Sequence, residues 1–310
     1  MPGSDQRSTA PSTGEQESVD ARFDSLVAEA DVGRGLDALD TPTERRVPWW
    51  RRAATGVLPP IVAVVLFLVA WQVLWASAIW PEFKLPAPGA VFSEIGAQLA
   101  DGNALSIIWT SISRAVLGFA LAVVIATPIG LVVATVPLVR SAIGPILTGL
   151  QSLPSVAWVP AAVLWFGLTN QTIYFVVLLG AVPSIANGLV SGIEQVPPLL
   201  PRVGQAMGAN RRQSATMIML PAALPGFLAG LKQGWAFSWR SLMAAEIIAT
   251  SPTLGFGLGA YLNQGQSLSQ MPTVMAAIIL ILVVGVGVEL LAFRPAERRI
   301  LRARGLATGP

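Results

Sequence analysis

The sequence predicts an all-α membrane protein with six transmembrane helices and both termini in the cytoplasm. Three observations carry that prediction. Hydrophobic residues make up 53% of the 310 residues and charged residues only 12%, about half the charged share of a soluble domain. Mean hydropathy is +0.63. The apolar residues gather in six runs, each long enough as a helix to cross roughly 30 Å of hydrocarbon.

Two domains are expected. Residues 1–50 form an acidic cytoplasmic tail, and residues 51–310 form the membrane domain. Ten of the 17 acidic residues lie in the first 44, with 3 of the 20 basic ones. The tail is rich in Ser, Thr, Gly, Asp and Glu and poor in large apolar side chains, so burial cannot offset its ordering entropy and disorder is expected. A helical pattern at Phe23, Leu26, Val27 and Ala30 offers the alternative of docking on a partner. After residue 44 the chain is net +10. The first apolar run begins near Val57, behind about fifty polar residues, so no secretory signal peptide is expected.

The six runs are 57–77, 107–135, 142–166, 172–193, 222–248 and 273–293. The second and third contain Pro128, Pro154 and Pro160, which predict kinks packed against protein rather than lipid. Orientation follows from the arginines. With the N-terminus inside, Arg45, Arg46, Arg51, Arg52, Arg140, Arg202, Arg211, Arg212, Arg294, Arg298, Arg299, Arg302 and Arg304 are all cytoplasmic, against Lys84 outside. A pI near 9.9 is accounted for by these flanks, so the partner is a lipid bilayer and not a nucleic acid.

Two external segments stand out. In 80–105, Val91, Ile95, Gln98 and Leu99 at helical spacing predict a short amphipathic helix on the outer surface. The segment 251–272 is uncharged and carries Gly255, Gly257, Gly259 and Gly265, which suits a re-entrant or gating element and a plain flexible loop equally.

Much chemistry is excluded. The chain has no Cys and no His, which removes disulfides, thiolate chemistry and imidazole catalysis. Its two lysines, Lys84 and Lys232, follow Phe83 and Leu231, so neither lies in a GxxxxGK[ST] phosphate loop. No catalytic residue, metal site or resident cofactor is expected.

Charges within the spans are functional candidates because each costs several kcal/mol unless it meets a cavity or partner. Arg114 near the outer end of its helix reads first as an interface anchor, and Lys232 as a structural pair or a snorkelling residue. Arg240 lies deeper, and its planar fork suits oxyanions. It either lines the aqueous path or bonds another helix or a dimer mate. Glu246 is six residues on, so the two point to different faces. Gln151 and Ser155, beside Pro154, are further path candidates, with helix packing as the alternative.

The most specific segment is the internal loop 194–221. Its prolines, Pro197, Pro198 and Pro201, suit a helix start. Leu199, Val203, Ala206 and Met207 then share a face, and Gly208 ends the helix. The pattern alone serves a docking knob and an interfacial helix equally. The stretch resembles the signature loop of binding-protein-dependent ABC importer permeases, EAA-x3-G-x9-I-x-L-P. Gly208 matches the glycine, and Ile218, Leu220 and Pro221 match the end at the correct distance. The departure is Arg202-Val203-Gly204 where Glu-Ala-Ala is usual. Ser113-Arg114 with Gly118-Phe119, Leu153-Pro154 through Pro160, Leu164 through Gly167, Pro221 through Pro225, and Trp239-Arg240 with Ala245-Glu246 resemble the nitrate, sulfonate and taurine branch. The core of the resemblance covers about 105–293.

This resemblance implies the type I ABC importer permease fold and a non-catalytic subunit working by alternating access. It implies a coupling helix with Arg202, Val203, Gln205, Ala206, Gly208, Ala209, Arg211 and Arg212 at the ATPase contact. The implied partners are a second copy of this chain, two cytoplasmic ATPase subunits that hold ATP and Mg, and an extracytoplasmic substrate-binding protein, in a bacterial cytoplasmic membrane. The substrate is expected to be a small anion such as an aliphatic sulfonate, taurine or nitrate. Alternatives are another small nutrient, such as a vitamin precursor or bicarbonate, or an ATP-independent secondary transporter.

Overall fold

A computed structural model describes residues 49–210 and 213–303. The acidic tail and its helical pattern, Arg211, Arg212 and Arg304 lie outside the described residues. The chain divides into two units between Phe67 and Leu68, inside the first helix, α1 (Trp49–Ala76). In the first unit, 49–67 is helical, with apolar side chains on all sides from Leu58 onward.

The second unit is a helical bundle, with no strand among the described residues. It comprises α2 (Pro88–Ala100), α3 (Asn103–Thr135), α4 (Pro137–Ser152) and α5 (Val159–Phe166), then α6 (Asn170–Glu194) and α7 (Leu199–Ala206). These are followed by α8 (Leu220–Ile248), α9 (Leu258–Ser267), α10 (Met271–Val288) and α11 (Arg294–Ala303). The segments 58–76, Asn103–Thr135, Asn170–Glu194 and Met271–Ile300 are each long and apolar enough to cross a membrane.

Two expected spans take a different form. The third is not one kinked helix. It breaks at Leu153–Pro154 into α4 and a piece running from Ser155 to Phe166, bent by 93°. Pro154 cannot donate to a helix ladder and holds its predecessor extended, and Leu153 has ψ 131°. Pro128, by contrast, leaves α3 continuous over 33 residues. The fifth span is the continuous 29-residue α8, which is less apolar than the four segments above and carries Lys232, Arg240 and Glu246. Those charges need protein around them.

Protein is what α8 has. It runs antiparallel against α6, in the most extensive helix contact of the fold. The cause is a stripe of small residues at every fourth position. It runs through Gly180, Ser184, Gly188 and Gly192 on α6 and Gly226, Gly230, Gly234 and Ser238 on α8, and Gly188 meets Gly230 as Gly192 meets Gly226. A Cβ on Gly188 would overlap the Gly230 backbone, and one on Gly192 the backbone around Gly226. Close backbone approach of this kind drives helix association where burial from water offers nothing. Beside the stripe, Phe119, Trp235, Trp239 and Phe293 form an aromatic cluster with edge-to-face and stacked pairs.

The segments 80–105 and 251–272 are both held by packing against the bundle. Helix α2 does not lie free on a surface. It packs against α10 and α3, with Val91 fully buried, and Trp71 Nε1 donates to the Pro86 carbonyl at 3.1 Å just before it. The glycine-rich segment is a 3₁₀ turn followed by α9, which seats on α10 and α8 with Leu258 and Tyr261 buried. Tyr261 donates to Glu94 of α2 at 2.8 Å. Burial, and then the Glu94 carboxylate, push this phenol well up, so it remains a donor.

Candidate translocation cavity and coupling surface

Helix α7 ends in a Schellman motif. Gly208 sits at φ +87°, its N–H donates to Gln205, and the Ala209 N–H reaches back to Gly204. That pair of bonds is the geometry in which glycine is favoured at the left-handed position. Asn210 and Gln213 then exchange side-chain-to-backbone bonds at 2.9 and 2.8 Å, a capping-box arrangement that starts the next helical segment. A π-type turn, Ser214–Met219, leads into α8. The family-like Ile218 packs its Cδ1 over Gly204, so glycine at the position where alanine is usual lets Ile218 close down on α7.

The outward side of α7 is apolar. Leu199 is 66% exposed, Val203 46% and Met207 83%. These residues repeat every four positions, forming a ridge on a surface helix. Arg202, Gln205, Ala206 and Gly208 are exposed beside it, and Ala209 is half-buried. An exposed apolar ridge rimmed by polar groups marks an interaction surface. Arg211 and Arg212 lie outside the described residues.

The break at Pro154 creates a cavity of about 350 Å³ between the α4–α5 bend, α6 and α8. Arg240, Gln151 and Ser155, named from sequence as path residues, all line it, together with Phe237. Ser155 Oγ and Ser241 Oγ lie 2.6 Å apart, under Gly180, where a Cβ would collide with Ser241. Gln151 accepts from Asn187 at 3.1 Å. Arg240 is exposed to the cavity. Its Nε donates to the Ala236 carbonyl at 3.0 Å and its guanidinium lies 4.9 Å from the Phe237 ring centre. Among the described residues, no carboxylate lies within ion-pair distance of it.

Glu246 is elsewhere. It is 2% exposed and receives Arg114 Nη1 at 2.9 Å, Ser111 Oγ at 2.7 Å and the Gly259 N–H at 3.1 Å. Ser111 in turn accepts the Leu258 N–H at 2.8 Å. Glu246 and Ser111 thus cap α9 from outside, and Gly257 is required because a Cβ there would meet both carboxylate oxygens. The sequence reading put Glu246 on the path with Arg240 and made Arg114 an interface anchor. Arg114 and Glu246 form a buried ion pair joining α3, α8 and α9, and border a cavity of about 360 Å³ separate from that of Arg240. Lys232 is a structural pair as read, held by Glu289 at 2.9 Å and Glu297 at 3.1 Å. Arg140 pairs with Glu194 at the ends of α4 and α6.

Sequence reasoning missed Ser111, Asn187 and Phe237, none of which carries a motif. It also missed the small-residue stripe, although the four-residue spacing in 180–192 and 226–238 is visible in the sequence.

Known proteins match this architecture. Residues 126–299 match the family described as binding-protein-dependent transport system inner membrane component. The chain is 30% identical over 262 residues to the taurine transport system permease protein TauC of Escherichia coli (strain K12), covering 83% of this chain and 93% of that one. It is 26% identical over 247 residues to the bicarbonate transport system permease protein CmpB of Synechococcus elongatus, over 76% and 87% of the two chains. The crystal structure of an amino acid ABC transporter with histidines aligns with a TM-score of 0.53 at 14% identity, covering 66% of this chain and 97% of the other, a likeness of fold. The chain belongs to the binding-protein-dependent transport system inner membrane component family and is the non-catalytic, multi-pass permease component of an ABC importer.

Proposed function

We propose that this permease forms the translocation path for a small anion, such as an aliphatic sulfonate, taurine or nitrate, in a bacterial cytoplasmic membrane. The observation that carries the proposal is Arg240, an arginine on a membrane helix that faces a cavity and has no carboxylate beside it among the described residues. An arginine cannot shed its charge, so an anionic ligand is the complement that this position lacks. The taurine and bicarbonate systems named among the relatives handle compounds that carry an oxyanion group, which supports the same class. Bicarbonate is the second reading, favoured by the CmpB likeness. Family membership favours neither a secondary transporter nor a membrane enzyme.

In this reading two copies of the chain enclose the path, each contributing Arg240, Gln151 and Ser155. The α7 ridge seats in a cytoplasmic ATPase subunit, with Arg202, Val203, Gln205, Ala206, Gly208, Ala209, Arg211 and Arg212 at or beside that contact. A substrate-binding protein delivers ligand from the opposite side. ATP binding draws the two ATPase subunits together. The α7 helices move with them, and the turn closed by Gly208 and Asn210 transmits the displacement to α8, which carries Arg240.

The test is uptake of labelled taurine, nitrate and bicarbonate by proteoliposomes holding the chain, its ATPase and its binding protein. ATP-dependent uptake of one of them is expected, abolished by Arg240→Gln with assembly and basal ATPase retained. Loss of assembly in that variant would make Arg240 a structural residue and remove the basis for an anion path.

A further inference from the structure

The last membrane helix does not end where the hydrocarbon ends. From Met271 to Phe293 it spans about 35 Å at 1.5 Å per residue, more than the roughly 30 Å core. It continues without a break as α11, within the apolar segment Met271–Ile300. Arg294, the first residue of α11, therefore stands at headgroup depth. Arg298 and Arg302 follow at four-residue steps, which places all three on one face, with Arg299 beside them. All four are exposed. Together with Leu290 and Pro295 they line a cavity of about 360 Å³.

Like charges four residues apart destabilise a helix, so this ridge needs a counter-charge. The helix's own acid does not supply one, because Glu297 is engaged by Lys232 at 3.1 Å on the side facing α8. Among the described residues, none of the four arginines has a carboxylate within ion-pair distance. The guanidinium fork matches phosphate oxygens in pairs, and half-exposed Leu290 gives the cavity an apolar edge suited to the start of an acyl chain. Basic clusters directly following a membrane span attract anionic headgroups.

We infer that the Arg294, Arg298 and Arg302 face of α11 is a binding site for the phosphate of an anionic phospholipid headgroup, which holds the end of the last helix at the membrane surface. The site is separate from the Arg240 cavity and from the α7 ridge, and it does not rest on the identity of the transported anion.

Native mass spectrometry of the full-length chain, released from micelles holding equal amounts of phosphatidylglycerol and phosphatidylcholine, tests this. The native chain should retain phosphatidylglycerol preferentially. Each arginine contributes about fivefold near a surface, so Arg294→Gln, Arg298→Gln and Arg302→Gln combined should lose of order a hundredfold. The same three positions changed to Lys should keep most of the preference. If the triple Gln chain fails to fold, Arg298→Gln alone should still show the fivefold loss. Equal retention of the two lipids, or unchanged retention in the Gln variants, would overturn the site. So would stabilisation in lipid-free detergent by millimolar inorganic phosphate matching that by phosphatidylglycerol, which would assign the face to a soluble anion. Loss of the co-purifying ATPase with lipid retention unchanged would assign it to protein docking.

Discussion

Arg114 and Arg240 both sit on helices that a membrane has to accept, yet the fold treats them in opposite ways. Arg114 is buried on α3 against Glu246 Oε1, and Glu246 Oε2 accepts from Ser111 and from the Gly259 N–H at the start of α9. Arg114 and Glu246 border a cavity of about 360 Å³ as a closed pair, whereas Arg240 opens to the cavity at the Pro154 break, braced among the described residues by the Ala236 carbonyl and the Phe237 ring. A buried charge paired with its counter-charge is held in place, because removing one partner strands the other in an apolar surrounding. An arginine fixed in direction, with no counter-ion among the described residues, is open to a ligand. Depth along a helix, the only measure available from sequence, does not distinguish the two. The neighbours do.

The comparison can be broken most decisively at Glu246. Glu246→Ala strands Arg114 and removes a cap from α9, and is expected to cost about 3–5 kcal/mol, read as a lowered unfolding temperature in detergent. Adding Arg114→Met should recover much of that loss. A double variant no better than the single would mean that the pair is not the unit described here. Next in size is Gly188→Leu, which drives a side chain into the Gly230 backbone and parts the α6–α8 wall on which both arginine environments rest. Overpacking of this kind costs about 1–3 kcal/mol. A chain that melts at the native temperature would show that the helices tolerate a wider spacing.

Two smaller effects sharpen the contrast. Arg140 pairs with Glu194 in a half-exposed position, and Arg140→Ala should cost no more than about 1 kcal/mol. Arg240→Gln should be the mildest of all in thermal stability, within about 0.5 kcal/mol, despite its effect on transport. If Arg240→Gln destabilises the chain as Glu246→Ala does, the division between structural and ligand-facing arginines fails.

Much of the architecture was legible because lipid leaves few options. Apolar runs gave an all-helical chain and the rough bounds of most long helices, and the prolines and four-residue apolar spacing of 197–208 gave a short helix closed by Gly208. The 93° break at Pro154 was half legible. A proline announces a discontinuity, but whether the chain kinks as at Pro154 or runs straight as at Pro128 depends on what packs around it. The pairing of Glu246 was not legible for a related reason. Its three donors come from 111, 114 and 259, more than a hundred residues away in two cases, and no local pattern signals them. Arg240, Gln151 and Ser155 share one cavity, but their sequence positions alone left helix packing open as the alternative for the two near Pro154.

The central claim is that Arg240 sets an anion-favouring potential in the cavity it shares with Gln151. The chain has no cysteine, so Gln151→Cys introduces a single thiol there. Its labelling rates with a negatively and a positively charged methanethiosulfonate reagent, each divided by the rate on a free thiol, report that potential without knowledge of the substrate. With Arg240 present the anionic reagent should react severalfold faster, and Arg240→Gln should remove the preference. Equal rates for both reagents, whether or not Arg240 is present, would contradict the account.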